Sequence, residues 1–333
     1  MNATSSRNIA CWTVLVAAVA LTAACEAKPT PAGSRPVASA PSISAPTSMA
    51  SAPTASKPAT SIPGRLYYLE SEQLVQVTGS TVQTVLAREA YAANLSPDGS
   101  QIAFIDGDWT EPGNVVIADR DGGNRRTVFR GAERAGFEPA WSPDSKRLLI
   151  SKRPDAGERT IGLLTIATGR FTPWAKQSPV LSHFLWTADG KRVGYAHGSQ
   201  LATADPDGSN ARIVPVFGST DARLNPQRRR SSDPYSISAD GRLISVWQRT
   251  HDEDSGDIAR DLIADAIVDT RTGENVGVPI RGAINAILFQ PNGDILVRTK
   301  GKLTLFGPGW TVKAVVAEPA AVRDAQLLTY RSN

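Results

Sequence analysis

Cysteine is almost missing from this chain: the two present are Cys11 and Cys25, and none follows. That absence excludes a disulfide framework, a thiol nucleophile and a cysteine-ligated zinc from the part that folds, so its core alone must hold it. The sequence also lacks a Gly-x-Ser-x-Gly elbow, a His-Glu-x-x-His pair and a phosphate-cradling glycine loop. Their absence argues against the hydrolases, zinc peptidases and nucleotide enzymes that rely on them. An excess of one charge is lacking too, with 36 Lys and Arg against 32 Asp and Glu and a net charge of +4. Such a balance leaves no footprint for nucleic acid and no strong steering toward a membrane surface. The apolar run from Ile9 to Ala24 is too short to span a bilayer comfortably.

What that run does have is a context. Arg7 and the amino terminus precede it, and it ends in Leu21-Thr22-Ala23-Ala24-Cys25. Small residues before a cysteine put a cleavage site next to a thiol that can accept lipid. The stretch resembles the lipobox of bacterial lipoproteins. The resemblance implies a signal peptide over residues 1–24 and a lipid anchor, palmitate or a similar acyl group, on Cys25, with the mature chain on the extracytoplasmic side of the cell membrane.

From Glu26 to Gly64 the composition shifts, with 29 of 39 residues being Ala, Pro, Ser or Thr. So little apolar surface does not offset the entropy of ordering the segment. Residues 25–64 are therefore expected to be a disordered tether, reaching about 34 Å as a coil and at most about 120 Å as polyproline.

Residues 65–333 carry an internal repeat. Asn94-Leu95-Ser96-Pro97-Asp98-Gly99 recurs as Ala140-Trp141-Ser142-Pro143-Asp144-Ser145, Leu185-Trp186-Thr187-Ala188-Asp189-Gly190, Ser236-Ile237-Ser238-Ala239-Asp240-Gly241 and Leu288-Phe289-Gln290-Pro291-Asn292-Gly293. The Asp/Asn positions lie 46, 45, 51 and 52 residues apart, the period of a four-stranded propeller blade. Each unit reads as a hairpin: a bulky apolar residue ends one strand, the Pro/Ala-Asp/Asn-Gly tetrad turns the chain, and a second strand alternates. The alternating pairs are Ile102 and Phe104, Leu148 and Ile150, Val193 and Tyr195, Ile244 and Val246, and then Leu296 with Arg298 breaking the pattern. A second turn follows downstream at Asp119-Arg120-Asp121-Gly122, Thr168-Gly169, Asp205-Pro206-Asp207-Gly208, Thr272-Gly273 and Gly307-Pro308-Gly309. Its paired aspartates admit calcium, but an Asx turn explains them more simply.

These units resemble the WD40-like propeller repeat of the TolB family, in which a Ser-Pro-Asp-Gly turn opens each blade and an Asp-x-Asp-Gly turn follows. The resemblance covers about Leu66 to Asn333. It implies the fold but not an activity, because such propellers also occur in peptidases, lyases and pure binding proteins. Where the family has an α/β domain ahead of its propeller, this chain has the tether, which speaks against a role in a Tol machine.

The two ends of the repeat region complete one another. Arg65–Glu70, Gln73–Val77 and Val82–Leu86 read as three strands and Ala325–Tyr330 as one, so together they make a further blade that clasps the ring. The expectation is an all-β, six-bladed propeller, with seven blades as the alternative.

Long insertions fall on the rim opposite the Asp-Gly turns. The connection Gly218–Asp233 holds Arg228, Arg229 and Arg230, and the loop Thr250–Arg260 holds Asp252, Glu253, Asp254 and Asp257. Long loops on a rigid scaffold are where binding usually sits. Planar guanidinium groups suit a carboxylate or phosphate on a partner, although they equally suit a solvated pairing with the acidic loop. His183, His197 and His251 belong to the same end; if they converged, imidazoles beside carboxylates would hold Mn, Fe or Zn. The reading is a lipid-anchored binding or scaffold protein without a cofactor, which meets an envelope protein or a cell-wall glycan on that face and no nucleic acid. The competing reading is a metal-assisted polysaccharide lyase or hydrolase at the same face.

Overall fold

The computed structural model describes residues 58–88, 93–107, 111–133, 138–153, 159–175, 177–178, 180–198, 200–215, 229–250 and 263–332, with the side chains of 229–232 and 248–250 excepted. The chain divides into two units, Met1–Thr54 and Ala55–Asn333. The first lies outside the described residues, and with it the signal peptide, Cys25 and most of the tether.

The second unit is a β-propeller. In chain order its strands are β1 (Arg65–Glu70), β2 (Gln73–Thr78), β3 (Thr81–Leu86), β4 (Asn94–Leu95), β5 (Gln101–Asp106), β6 (Gly113–Asp119), β7 (Arg126–Ala132), β8 (Ala140–Trp141), β9 (Arg147–Lys152), β10 (Thr160–Thr165), β11 (Arg170–Pro173) and β12 (Leu181–Trp186). They continue as β13 (Val193–His197), β14 (Gln200–Ala204), β15 (Arg212–Ile213), β16 (Arg229–Ile237), β17 (Leu243–Thr250), β18 (Ala266–Asp269), β19 (Asn275–Val276), β20 (Ile284–Phe289), β21 (Ile295–Thr299), β22 (Lys302–Gly307), β23 (Thr311–Ala317) and β24 (Gln326–Arg331). Short 3₁₀ turns occupy Pro308–Trp310 and Ala320–Val322.

Four separate four-stranded blades form, β12 to β15, β16 to β19, β20 to β23, and β24-β1-β2-β3. Strands β4 to β11 form one eight-stranded sheet, whose halves meet where Ala132 of β7 pairs with Lys152 of β9. The fourth blade joins both ends of the repeat region, with Leu66 opposite Tyr330 and Arg65 opposite Arg331. An expected loop is shorter than its composition implies. Residues 229–233 are strand: Arg229 pairs with Thr250 and Arg230 with Arg249, so the hairpin β16–β17 runs on through the arginines.

The two turn sets differ in what they contact. In the first, one carboxylate oxygen closes an Asx turn: Asp144 Oδ1 accepts from the Ser142 hydroxyl at 2.5 Å and the Lys146 N–H at 3.1 Å. Asp240 does the same with Ser238 at 2.7 Å and Arg242 at 3.0 Å. In the second set Gly122 and Gly208 dock on the preceding blade. A Cβ on Gly122 would lie 2.3 Å from the Val85 carbonyl oxygen of β3, and one on Gly208 2.7 Å from the Trp174 indole, which itself donates to the Pro206 carbonyl at 2.8 Å. Both glycines sit at positive φ, so a side chain there meets backbone strain as well as collision.

The apolar core lies between blades. Trp174 beyond β11 packs edge-on to Phe184 and Tyr195 at ring separations of 5.2 and 5.6 Å. Leu201 and Val214 meet Ile244, Val246, Ala266 and Val268 of the next blade. Burying alternate residues on both faces of each sheet makes every blade depend on its neighbours.

Arg298 of β21 occupies the second apolar position of the last repeat and is 4 % exposed. It pairs with Glu318 at 2.9 Å and donates to the carbonyls of Ala325, Val322 and Arg323 at 2.7, 3.1 and 3.0 Å. Tyr68 of β1 donates to the same Glu318 oxygen at 2.9 Å. Burial, with the adjoining Glu318 charge, raises the Tyr68 phenol far above its ordinary range, so it remains a donor. This buried network ties the segment leading into β24 to both blades it joins.

Candidate functional site

Strands β4, β8, β12, β16, β20 and β24 follow one another in contact, each touching the next in that order. Their ends surround a cavity of about 390 Å³. Its wall mixes apolar and polar surface: Trp141, Trp186, Phe184 and Phe289 stand beside Gln290 and Arg331. Its rim is set by the first-turn residues Pro97, Pro143, Ala188, Ala239 and Pro291. The repeat therefore does two jobs with one spacing: the bulky residue before each turn supplies the wall, and the Pro/Ala of the turn supplies the lip.

Several polar groups of this wall are engaged within the protein. The indole N–H of Trp141 donates to the Asn94 carbonyl and that of Trp186 to the Ala140 carbonyl, both at 3.1 Å. Arg331 donates to the Leu95 and Ser96 carbonyls at 3.1 and 3.2 Å and to the Thr329 hydroxyl at 3.0 Å. Burial pushes its guanidinium down to about 10, against the raising influence of Tyr67 and Asp98, and it stays cationic at neutral pH. The Tyr235 hydroxyl donates to the Leu327 carbonyl. Such a concave wall offers shape, with its two indole donors already taken.

Next to Phe184 and Tyr235 of the wall lies an acid–histidine cluster, formed by Glu138, His183 of β12 and Asp233 midway along β16. His183 Nδ1 is 3.5 Å from Glu138 Oε2, and its Nε2 is 3.3 Å from Asp233 Oδ1. All three are buried. Neither acid stood out in the sequence, but a signal was present. Glu138 precedes Trp141 by three residues, His183 precedes Trp186 by three and Asp233 precedes Ile237 by four, so a polar residue recurs at nearly one offset before the turn.

The residues singled out from sequence fall in different places. His183 is brought to two carboxylates on opposite edges of its ring, not to a shared metal position. His197 ends β13, opposite Leu181, and is half-buried. Arg229 and Arg230 stand on β16 beside the end of β17, so the two insertions leave the sheet from paired positions; their side chains are not described. Arg228, His251, Asp252, Glu253, Asp254 and Asp257 lie outside the described residues, as does Cys25. Among the described residues no group of three His, Cys, Asp or Glu is placed to hold a metal ion, and no helix is long and apolar enough to cross a membrane.

Comparison with known proteins gives a fold and no sequence relative: no family model and no curated protein matches the chain. Among solved structures, TolB from Acinetobacter baumannii is similar with a TM-score of 0.51 and 20 % identity, over 77 % of this chain and 67 % of that one. An oligogalacturonate lyase in complex with manganese gives 0.48 and 13 % over 74 % and 70 %. A putative TolB from Agrobacterium tumefaciens gives 0.41 and 12 % over 81 % and 90 %. The repeat turns, the shared terminal blade and the first of these likenesses agree, and this chain folds as a TolB-like β-propeller.

Proposed function

We propose that this protein is a lipid-anchored, extracytoplasmic binding scaffold, with Cys25 carrying the lipid, the stretch from there to Pro58 forming the tether, and a six-bladed ring receiving a segment of an envelope protein in its axial cavity. Six blades are reached by counting the eight-stranded sheet as two, since its halves share a single paired position and each carries its own two turns.

The observation that carries the binding reading is the cavity itself: about 390 Å³ of concave space lined by aromatic side chains and a few fixed polar groups. Concave, mostly apolar sites with a few fixed polar groups are the usual form of a binding pocket. Because both indole N–H groups and Arg331 are already engaged, the wall suits apolar side chains of a protein better than the hydroxyls of a glycan. The arginine and acidic insertions on the opposite rim are proposed as a second contact area.

The test is site-specific photo-crosslinking in cells, with a photoreactive residue at Ala188 on the cavity lip and, as control, at Val82 on the outer strand β3. A discrete adduct from position 188 and none from position 82 is the expected outcome. Adducts from both positions alike, or none from position 188, would rule out the cavity as the docking point.

A further inference from the structure

Among the described residues that line the cavity, Arg331 is the one charged side chain, and the lining holds no Asp or Glu. Its guanidinium carries five N–H groups, and every acceptor it meets is neutral. Nε donates to the Ser96 carbonyl, Nη1 to the Thr329 hydroxyl and, at 3.4 Å, to the Tyr330 carbonyl, and Nη2 to the Leu95 carbonyl. One Nη2 N–H is left over. Among the described residues no carboxylate comes within ion-pair distance of this cation.

The acids of the lip are committed elsewhere. The turn that carries Asp98 lies against Arg331, a Cβ on Gly99 meeting its Cγ at 3.8 Å. Yet Asp98 Oδ1 accepts from the Ser96 hydroxyl at 2.5 Å and from the N–H and hydroxyl of Ser100 at 3.0 and 2.8 Å. Asp144, Asp189 and Asp240 also turn an oxygen into their own turns, and each is followed two residues on by a cation, Lys146, Lys191 or Arg242. These three turns therefore set no net negative charge at the mouth. Arg331 itself is fixed before any ligand arrives, because its bonds reach from β24 to Leu95 and Ser96 of the next blade. Such a guanidinium loses little freedom on pairing. Carbonyls hold its position without cancelling its charge, so an arriving carboxylate gains a charge-assisted hydrogen bond in a concave site.

We propose that the protein segment received by the axial cavity is acidic, an aspartate or glutamate side chain placing a carboxylate oxygen on the free Arg331 N–H while its apolar neighbours fill the space beside Trp141, Trp186 and Phe289. The inference rests on the docking reading above and names the chemistry of the partner. It also sets a selectivity: a segment with Lys or Arg at that position brings like charges together and is rejected, and one with Asn or Gln forgoes the charge pairing.

The experiment uses the full-length protein in cells, with the photoreactive residue at Ala188, and compares the adduct in otherwise wild-type, Ser332→Gln, Ser332→Glu and Arg331→Gln chains. Ser332 is exposed and lines the cavity next to Arg331 in sequence, and its side chain makes none of the bonds that fix the guanidinium. Ser332→Gln adds bulk without charge and is expected to leave the adduct yield unchanged. Ser332→Glu supplies an internal carboxylate that competes for the cation, and it should cut the yield by about tenfold, the scale of one hydrogen bond to a charged group. Arg331→Gln should do the same. Mass spectrometry of the adduct is expected to place an Asp or Glu of the partner within about four residues of the crosslinked position, the reach of a short extended segment. A yield untouched by Ser332→Glu or by Arg331→Gln, an equal fall in Ser332→Gln and Ser332→Glu, or a crosslinked segment without an acid would each overturn the inference and leave the docking reading standing. No adduct from position 188 in the otherwise wild-type chain would remove both. Should Arg331→Gln fail to fold, the two Ser332 variants decide between charge and bulk.

Discussion

Arg298 stands where the other repeats bury Phe104, Ile150, Tyr195 and Val246, and it is buried as they are. The period-two pattern marked its position as inward-facing, whereas its charge marked it as an exception. Both readings hold, because Glu318 and three backbone carbonyls satisfy the guanidinium inside the closing junction. Removing one partner of a buried pair leaves the other charge uncompensated, at about 3–5 kcal/mol. Arg298→Ala is therefore expected to destabilise the propeller by about that much in urea unfolding, and the double variant Arg298→Met, Glu318→Gln by clearly less. Equal losses in the single and double variants would show that Arg298 acts through its packing alone. Glu138 and Asp233 were harder to find for the converse reason: a lone acid before a strand resembles a solvated loop residue until the strand ends are brought together in space.

At the scale of elements, the turns were legible because their chemistry is local. Ser/Thr, then Asp two residues on, specifies its own hydrogen bonds, and the structure repeats them at Ser142, Thr187 and Ser238. These bonds hold carboxylates below their ordinary range: the Ser142 hydroxyl foremost at Asp144, opposed by burial, and the Ser238 hydroxyl foremost at Asp240. A depressed carboxylate adds stability above the unfolded value near pH 3.9, and this is lost as pH falls through the lower folded value. In thermal scans between pH 5 and 2.5, wild type should lose melting temperature more steeply than the Asp144→Asn, Asp240→Asn variant. Equal slopes would place the acid sensitivity elsewhere. Strand β16 was misread at its start because Arg228-Arg229-Arg230 and Pro234 look like loop, and only pairing with β17 makes residues 229–232 extended. A second element was hidden in the Pro-rich stretch: Ala59 donates to Lys313 at 2.9 Å and accepts from Val315 at 3.1 Å, forming a parallel bridge on the outer edge of β23. Ile62 then packs on the core, and Tyr330 donates to the Pro63 carbonyl at 2.6 Å. A chain beginning at Arg65 is expected to be about 1–3 kcal/mol less stable to urea than one beginning at Pro58. Ala59→Pro, which removes the donor, should give part of that loss. Matching stabilities would make residues 58–64 a passive part of the tether.

For the whole molecule, the repeat period and the complementary ends made the propeller legible. The cavity was not, because it belongs to no single unit: its wall takes two or three residues from each inner strand. The anchor remains a matter of sequence, and Cys25→Ala is expected to release the protein from membranes into the soluble fraction. Retention of the variant on membranes would exclude lipid at that position. The blade built from β24 and β1–β3 has a further consequence. Its first three strands are synthesised before any other described strand, and its fourth after all of them, so the earliest sheet waits unfinished until β24 has been made. A product cut short before Gln326 keeps an open edge on β1 and an open ring, the state most prone to aggregation and proteolysis. The fold thus inspects its own synthesis: only a chain translated through its final strand can close.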